Sequence, residues 1–321
     1  MLPKLNNPDI TAEVQLVTIE PGVSIYVKTL RGPRRSGRTA IYIHGGGGGG
    51  NHTIIERPSR HLINDGFFDT IILPDKRGDG GSSPLTGKHT ILNHARDMRL
   101  LLEQLNITGP ITALGISYGG PIALGLAHLC PQVERVVLVA SSPSLAENSG
   151  ISRLLLKSGL LRAGMKLAYR RFLGKLPQAY VDFDACHDLR KPTALVGLFT
   201  EALKRTPRSR LDSLIYALEA TLDTAQCSLP DDVQLSVPVI QVVGERDEVW
   251  GGRIAPRFIA RFPRYRQYIV PGARIHKDAL LKPAAFYGKL AEALKRDDRR
   301  AIAQSTMQLG DRAKLAQAVL S

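Results

Sequence analysis

Residues 112–126 read TALGISYGGPIALGL, and this stretch decides the fold. An apolar run over residues 111–114 stops at Gly115-Ile116-Ser117-Tyr118-Gly119-Gly120, then resumes with helical spacing. A strand that hands over to a helix in so few residues holds the corner residue in strained backbone geometry. Small residues two before and two after it keep side chains from colliding. Gly115-Ile-Ser117-Tyr-Gly119 fits G-x-S-x-G. The glycines make room, and Ser117 is the group displayed, at the rim of a sheet and the positive end of a helix. Short glycine–serine patterns also arise by chance as ordinary turns. The position between a strand and a helix gives this one its catalytic reading.

Working outward, compact apolar runs cover residues 39–44, 68–73, 134–140, 237–243 and 265–270. Continuous rather than alternating apolar residues predict strands buried on both faces. Residues 12–19 and 23–29 alternate around Glu20-Pro21-Gly22 and predict an antiparallel hairpin. Helical patterns lie at 54–64, 93–105, 119–129 and 286–294. Strands alternating with helices call for an α/β fold with a mostly parallel central sheet flanked by helices. Residues 145–229 break the rhythm: helix formers and basic residues (Arg153, Lys157, Arg162, Lys166, Arg170, Arg171, Lys175) replace strands. They are read as a helical lid inserted between two late strands. The chain thus divides into a first core part (1–144), the lid (145–229), a second core part (230–298) and a C-terminal helical extension (299–321).

The totals exclude several classes. No apolar run reaches the length of about 18 residues that spans a bilayer. The start, MLPKLNNPD, has no hydrophobic h-region, so no secretory signal is read and a cytoplasmic location is expected. Cys130, Cys186 and Cys227 are an odd number without metal-ligand spacing, which fits a reducing compartment and no metal centre. The net charge is +14. Nucleic-acid readers interleave basic and aromatic residues on one element; aromatics are only 6% of this chain and no such motif occurs. The charge is therefore read as a solvated basic surface, with no nucleic-acid partner.

A serine alcohol is a poor nucleophile near neutral pH and needs a base in reach, itself oriented by a third group. In an architecture of this kind the order is Ser, acid, His. Gly244-Glu245-Arg246-Asp247 directly follows a late strand, so Asp247 is the expected acid, with Glu245 and Glu248 as neighbouring alternatives. The other common position for the acid reads Ser141-Ser142-Pro143 and holds no carboxylate. Of the eight histidines, His276 alone follows the last strand, in Pro271-Gly-Ala-Arg-Ile-His276, and is the expected base. The run His44-Gly45-Gly46-Gly47 lets the backbone approach a substrate closely. The N–H groups of Gly46 and Tyr118 are the expected oxyanion donors. A phosphate loop is the alternative for that run, but it lacks Gly-Lys-Ser/Thr.

At these residues the sequence resembles the α/β-hydrolase superfamily. His44-Gly-Gly resembles the oxyanion loop, and Asp75-Lys-Arg-Gly78-Asp-Gly80-Gly-Ser-Ser83 resembles the D-x-R-G-x-G-x-S turn after the fourth strand. Gly115 to Gly119 resembles the nucleophile elbow, while Asp247, His276 and Pro283 stand where the acid, the base and a later proline do. Two departures stand out. The approach to the base, Gly272-Ala273-Arg274-Ile275-His276, is one residue longer than the usual Gly-Ala-Gly-His. The oxyanion loop is six glycines without the usual proline. Within the superfamily the chain is most similar to proline iminopeptidases. An aminopeptidase needs acidic lid residues, for which Asp182, Asp184, Asp188 and Glu219 are available in a mostly basic insertion.

The resemblance implies a serine hydrolase that cleaves a small-molecule ester, thioester or amide through an acyl-enzyme, with no metal or organic cofactor. A proline iminopeptidase-type aminopeptidase, a C–C bond hydrolase and a non-catalytic binding protein on the same scaffold are the alternatives.

Overall fold

The computed structural model describes residues 7–34, 36–46, 50–143, 159–160, 163–164, 166–167, 210–222, 228–247, 260–273 and 278–300. Eight strands form one sheet: β1 (Thr11–Glu20), β2 (Val23–Arg31), β3 (Thr39–Ile43), β4 (Thr70–Pro74), β5 (Ile111–Ile116), β6 (Val133–Val139), β7 (Val239–Gly244) and β8 (Tyr265–Val270). Their spatial order is β1-β2-β4-β3-β5-β6-β7-β8. β1 and β2 form the antiparallel hairpin, and β2 is antiparallel to β4. Every pair from β4 to β8 is parallel. The parallel strands therefore all end at one edge, where the loops that follow them gather.

Helices cover both faces, which is why β3 and β5 read as unbroken apolar runs. Successive strand side chains point to opposite faces. Ile41 and Ile43 pack with Met98, Leu101, Ile122 and Leu126 on one side. Ala40 and Tyr42 pack with Ile55, Leu62, Leu290 and Leu294 on the other. The first set belongs to α2 (Ile91–Gln104) and α3 (Gly119–Leu129). The second belongs to α1 (Thr53–Asn64) and to a long helix over residues 283–300. Burial on both faces fails at the end of the sheet: among the described residues β8 has no strand beyond it, and most of its residues are only partly buried. α2 also starts earlier than its apolar periodicity predicts. Thr90 caps it in a reciprocal box, with Asn93 N–H donating to Thr90 Oγ1 at 3.3 Å and Thr90 N–H to Asn93 Oδ1 at 3.0 Å.

Two clusters of charge lock the layers together. At the base of the sheet Asp298 accepts from Arg38 (2.7 Å) and Arg135 (2.8 Å). This ties the long helix over residues 283–300 to the start of β3 and to β6. That helix runs unbroken to residue 300, through the 298/299 boundary expected from the sequence. Near the opposite end Arg77 grips Asp97 of α2 with two bonds (2.9 and 2.6 Å) and reaches Glu20 of β1 at 2.8 Å. Burial alone would depress the Arg77 charge, but Asp97 and Glu20 overcome it and raise its pKa.

Most of the 145–229 insertion and residues 301–321 lie outside the described residues. Within the insertion a helix over Leu211–Leu222 is described. It lies over the turn that follows β4. Ser213 Oγ accepts from the buried Leu85 N–H at 2.7 Å, and Arg210 donates to the carbonyls of Gly80 (2.7 Å) and Ser82. Among the described residues no helix is long and apolar enough to cross a membrane.

Asp97 is only 2% exposed, so Arg77→Ala strands most of a buried charge. We expect a loss of about 3 kcal/mol by urea unfolding, because removing one partner of a buried pair leaves the other uncompensated. The double variant Arg77→Met/Asp97→Asn should lose less than Arg77→Ala.

Candidate active site

Ser117 stands where β5 ends and before α3 begins at Gly119. Its φ is 53°, in the left-handed region that L-residues other than Asn and Asp seldom occupy. Three bonds hold it there. Its N–H donates to Val139 O (3.0 Å), and its carbonyl accepts from Gly120 N–H (3.0 Å) and Ser141 Oγ (2.6 Å). The flanking glycines are steric necessities. A Cβ on Gly115 would lie 2.2 Å from the Gly119 carbonyl oxygen, and one on Gly119 would lie 2.2 Å from the Ile43 carbonyl oxygen. The ring of Tyr118 is turned into the protein at 2% exposure, edge-on to His94 at 5.9 Å between centroids. What Tyr118 offers the site is its backbone.

The chain leaving β3 comes up against this turn. A Cβ on Gly45 would lie 2.9 Å from Ser117 Cβ. Gly46 is exposed with φ 78°, and its N–H has no acceptor among the described residues. His44 is fully buried. Its Nε2 accepts the Lys76 N–H at 3.1 Å, so Nδ1 carries the proton and donates to Gly45 O at 2.8 Å. Burial first, then the adjacent Lys76 charge, holds its pKa well below the ordinary histidine value. His44 is a neutral strut.

The turn after β4 supports that loop. Asp75 accepts from His52 N–H (2.7 Å), His52 Nδ1 (2.9 Å) and Gly81 N–H (2.9 Å). Lys76 is 1% exposed. Its Nζ donates to His44 O at 3.2 Å and Gly45 O at 3.3 Å, and pairs with Asp79 at 2.9 Å. Burial lowers the Lys76 pKa, while Asp79 and then Asp75 oppose the shift. Neither Lys76 nor Asp79 was legible as a site residue, because both fill variable positions of D-x-R-G-x-G-x-S. The available signal was a lysine and an aspartate three residues apart in one turn.

Asp247 lies three residues beyond Gly244, past the end of β7, and is 4% exposed. β7 is two strands from β5, at the same edge of the sheet. The loop after β7 is laced to the loop after β8: Glu245 N–H donates to Val270 O (3.3 Å) and Arg246 N–H to Ala273 O (3.2 Å). The Glu245 carboxylate is exposed and accepts from Gly272 N–H at 3.1 Å, which engages it in the turn after β8. Glu248 and His276 lie outside the described residues. The structure therefore gathers Ser117, Tyr118 and Gly46, and sets Asp247 on the same edge of the sheet.

Other histidines have structural employment: His52 on Asp75, and His89 on Asp97 at 3.2 Å. Among the described residues, the ligand atoms of His89, His94 and Asp97 come within 4.8 Å of one another. Both Asp97 oxygens are held by Arg77, whose charge opposes a metal ion there.

Residues 40–273 match the family model for the alpha/beta hydrolase fold. The chain belongs to the α/β-hydrolase fold family. A proline iminopeptidase from Saccharolobus solfataricus is 32% identical over 125 residues, which are 38% of this chain and 39% of the relative's own length. The chain thus spans about two-fifths of the length of that relative. Among solved structures, a thermophilic esterase from Thermogutta terrifontis superposes with TM-score 0.62 at 19% identity, covering 88% of this chain and 98% of the other. The 2-hydroxy-6-oxo-6-phenylhexa-2,4-dienoate hydrolase from Rhodococcus sp. strain RHA1 superposes with TM-score 0.64 at 14% identity, covering 89% and 99%. At such identities these likenesses speak to the fold.

The buried imidazoles set an acid limit on stability. His44 and His94 both have pKa values well below the ordinary one, through burial first and neighbouring positive groups second. Unfolded, each titrates near pH 6.5, so below that pH the unfolded chain binds two protons that the folded chain does not. Their contribution is complete above about pH 6.5 and is lost as the pH falls, by up to about 2.7 kcal/mol per pH unit for the two groups together. Thermal unfolding from pH 7.5 to pH 5 checks this, and His94→Gln should remove about half the slope. A flat profile would show that both rings are charged in the fold, and half the expected slope that one of them is.

Proposed function

We propose that the protein is a serine hydrolase that cleaves an acyl bond, in an ester, thioester or amide of a small molecule, through an acyl-enzyme. The observation that carries this reading is Ser117. It is a non-glycine residue in left-handed geometry at a strand–helix corner, and the chain bearing Gly46 packs against it. Strain of that kind persists only where the surroundings over-determine it, and such residues cluster at functional sites.

In this mechanism Ser117 Oγ attacks the carbonyl carbon while His276 takes its proton. Asp247 orients the imidazole and balances its charge as it becomes imidazolium. The negative charge that develops on the carbonyl oxygen falls to the N–H groups of Gly46 and Tyr118, the latter at the positive end of α3. His276 then protonates the leaving group. Water, activated by the same imidazole, releases the acid and restores Ser117. The low exposure of Asp247 suits a carboxylate whose task is to hold an imidazole rather than to meet substrate. The helical insertion would cover Ser117 and shape the acyl pocket.

A second reading, aminopeptidase action on an N-terminal proline, has its own support in the iminopeptidase likeness and the Asp75-Lys-Arg-Gly turn. Three of the acids that could hold a substrate ammonium, Asp182, Asp184 and Asp188, lie outside the described residues.

The test uses the full-length protein. A fluorophosphonate probe should label the wild type and leave Ser117→Ala unlabelled, with the variant unfolding at the wild-type temperature. A panel of p-nitrophenyl esters beside prolyl-naphthylamide then separates the two readings, and the ester reading predicts turnover of the short-chain esters. Folded wild-type protein that the probe leaves unmodified would refute the nucleophile and favour a binding protein.

A further inference from the structure

The loop after β3 is made of six glycines, Gly45 to Gly50. Glycine is the residue with the most conformational freedom to lose, yet an oxyanion donor works by being already in place when charge develops. No side chain of the loop itself can supply the rigidity. The rigidity comes instead from the neighbouring turn. From Lys76 and its contacts we infer that this lysine is the residue that positions the Gly46 N–H. The inference rests on the hydrolase reading above.

An ammonium carries three donors and no acceptor. At Lys76 Nζ there are three acceptors: His44 O at 3.2 Å, Gly45 O at 3.3 Å and Asp79 Oδ2 at 2.9 Å. Nζ also lies 2.9 and 3.3 Å from the two ring nitrogens of His44. Nearly equal distances to both nitrogens put it over the imidazole rather than along one lone pair. The in-plane nitrogens are committed elsewhere, to Gly45 O and to the Lys76 N–H. Lysine, histidine and the two loop carbonyls thus form one closed set.

The consequence follows from peptide planarity. Gly45 O and the Gly46 N–H belong to one peptide unit and point in opposite directions across it. Gly45 O is held on one side by His44 Nδ1 and by Lys76 Nζ. Gly50 closes over it from another: a Cβ on Gly50 would lie 2.3 Å from Gly45 O. With the oxygen fixed, the Gly46 N–H has a single direction left, away from the lysine. A cation at the oxygen also draws electron density toward that end of the peptide and makes the N–H a stronger donor. In a fully buried setting such a field is screened little. Lys76 acts through the peptide and is a positioning residue.

Asp79 is 3% exposed, so removing the lysine alone would take the ion-pair partner from a buried carboxylate. The informative variant removes both: Lys76→Met/Asp79→Asn. It is measured in the full chain by far-UV circular dichroism, by fluorophosphonate labelling of Ser117 and by p-nitrophenyl ester kinetics. We expect a folded protein whose labelling rate and kcat fall roughly 30- to 100-fold, below the loss for deleting an oxyanion donor outright, while KM stays within about threefold. Lys76→Gln/Asp79→Asn, whose amide keeps N–H donors near the carbonyls, should recover part of kcat. A trifluoromethyl ketone, which forms an oxyanion on Ser117, should bind more weakly in proportion to the loss in kcat/KM.

A folded double variant that labels and turns over at the wild-type rate would overturn the inference and leave the hydrolase reading standing. A loss confined to KM would overturn it as well, because the lysine would then serve substrate binding. Wild-type protein that the probe does not label would refute the hydrolase reading, and this inference with it.

Discussion

A left-handed backbone at Ser117 is the constraint on which the rest of the site depends. The residue cannot relax, because β5 enters the corner in a parallel ladder with β3 and β6 and α3 leaves it packed beneath the sheet. Its carbonyl is tied to Ser141 and its N–H to Val139, so β6 takes part in holding a turn that belongs to β5. The support extends further. Gln241 of β7 donates to Ser141 O at 2.6 Å, and Tyr265 and Gln267 of β8 both donate to Gln241 Oε1. A polar chain thus crosses three strands to reach Ser117. An apolar contact in its place would have packed as well, but it would not have fixed the orientation of a peptide.

The turn after β4 plays the complementary part. Within residues 75–83, Asp75 gathers the start of α1, Lys76 the loop after β3, Arg77 both α2 and β1, and the backbone at Gly80 the insertion through Arg210. Both cations in it are matched, Lys76 by Asp79 and Arg77 by Asp97 and Glu20. Burial of so many ions is costly unless geometry is well satisfied, so the turn is better understood as a device for specifying position than as a source of stability. A loop of glycines beside it can then be held without side chains of its own.

Some of this architecture was legible and some was not, for physical reasons. The strand–helix corner reads directly from residues 115–119 because its constraint is local: the collisions that demand glycine involve atoms four residues apart or on the next strand. The parallel strands read as apolar runs because helices cover both their faces. β8 carries a similar signal but occupies an edge, and edge position depends on strand order, which no run of residues encodes. The start of α2 was displaced because a capping box, rather than apolar spacing, sets it. Lys76 and Asp79 were illegible as partners of the loop after β3, since the residues they serve lie more than thirty positions earlier in the chain.

By itself, then, the sequence determined the class of fold and the strand–helix corner at Ser117, because periodicity and a steric corner are short-range properties of the chain. It also ordered the candidates for acid and base. The tertiary structure alone decided which carboxylates are buried and committed, which histidines are neutral struts, and that a lysine stands behind the loop meeting Ser117. Burial, charge pairing and the direction of a peptide dipole depend on what lies across the sheet, and a linear pattern carries no record of neighbours in space.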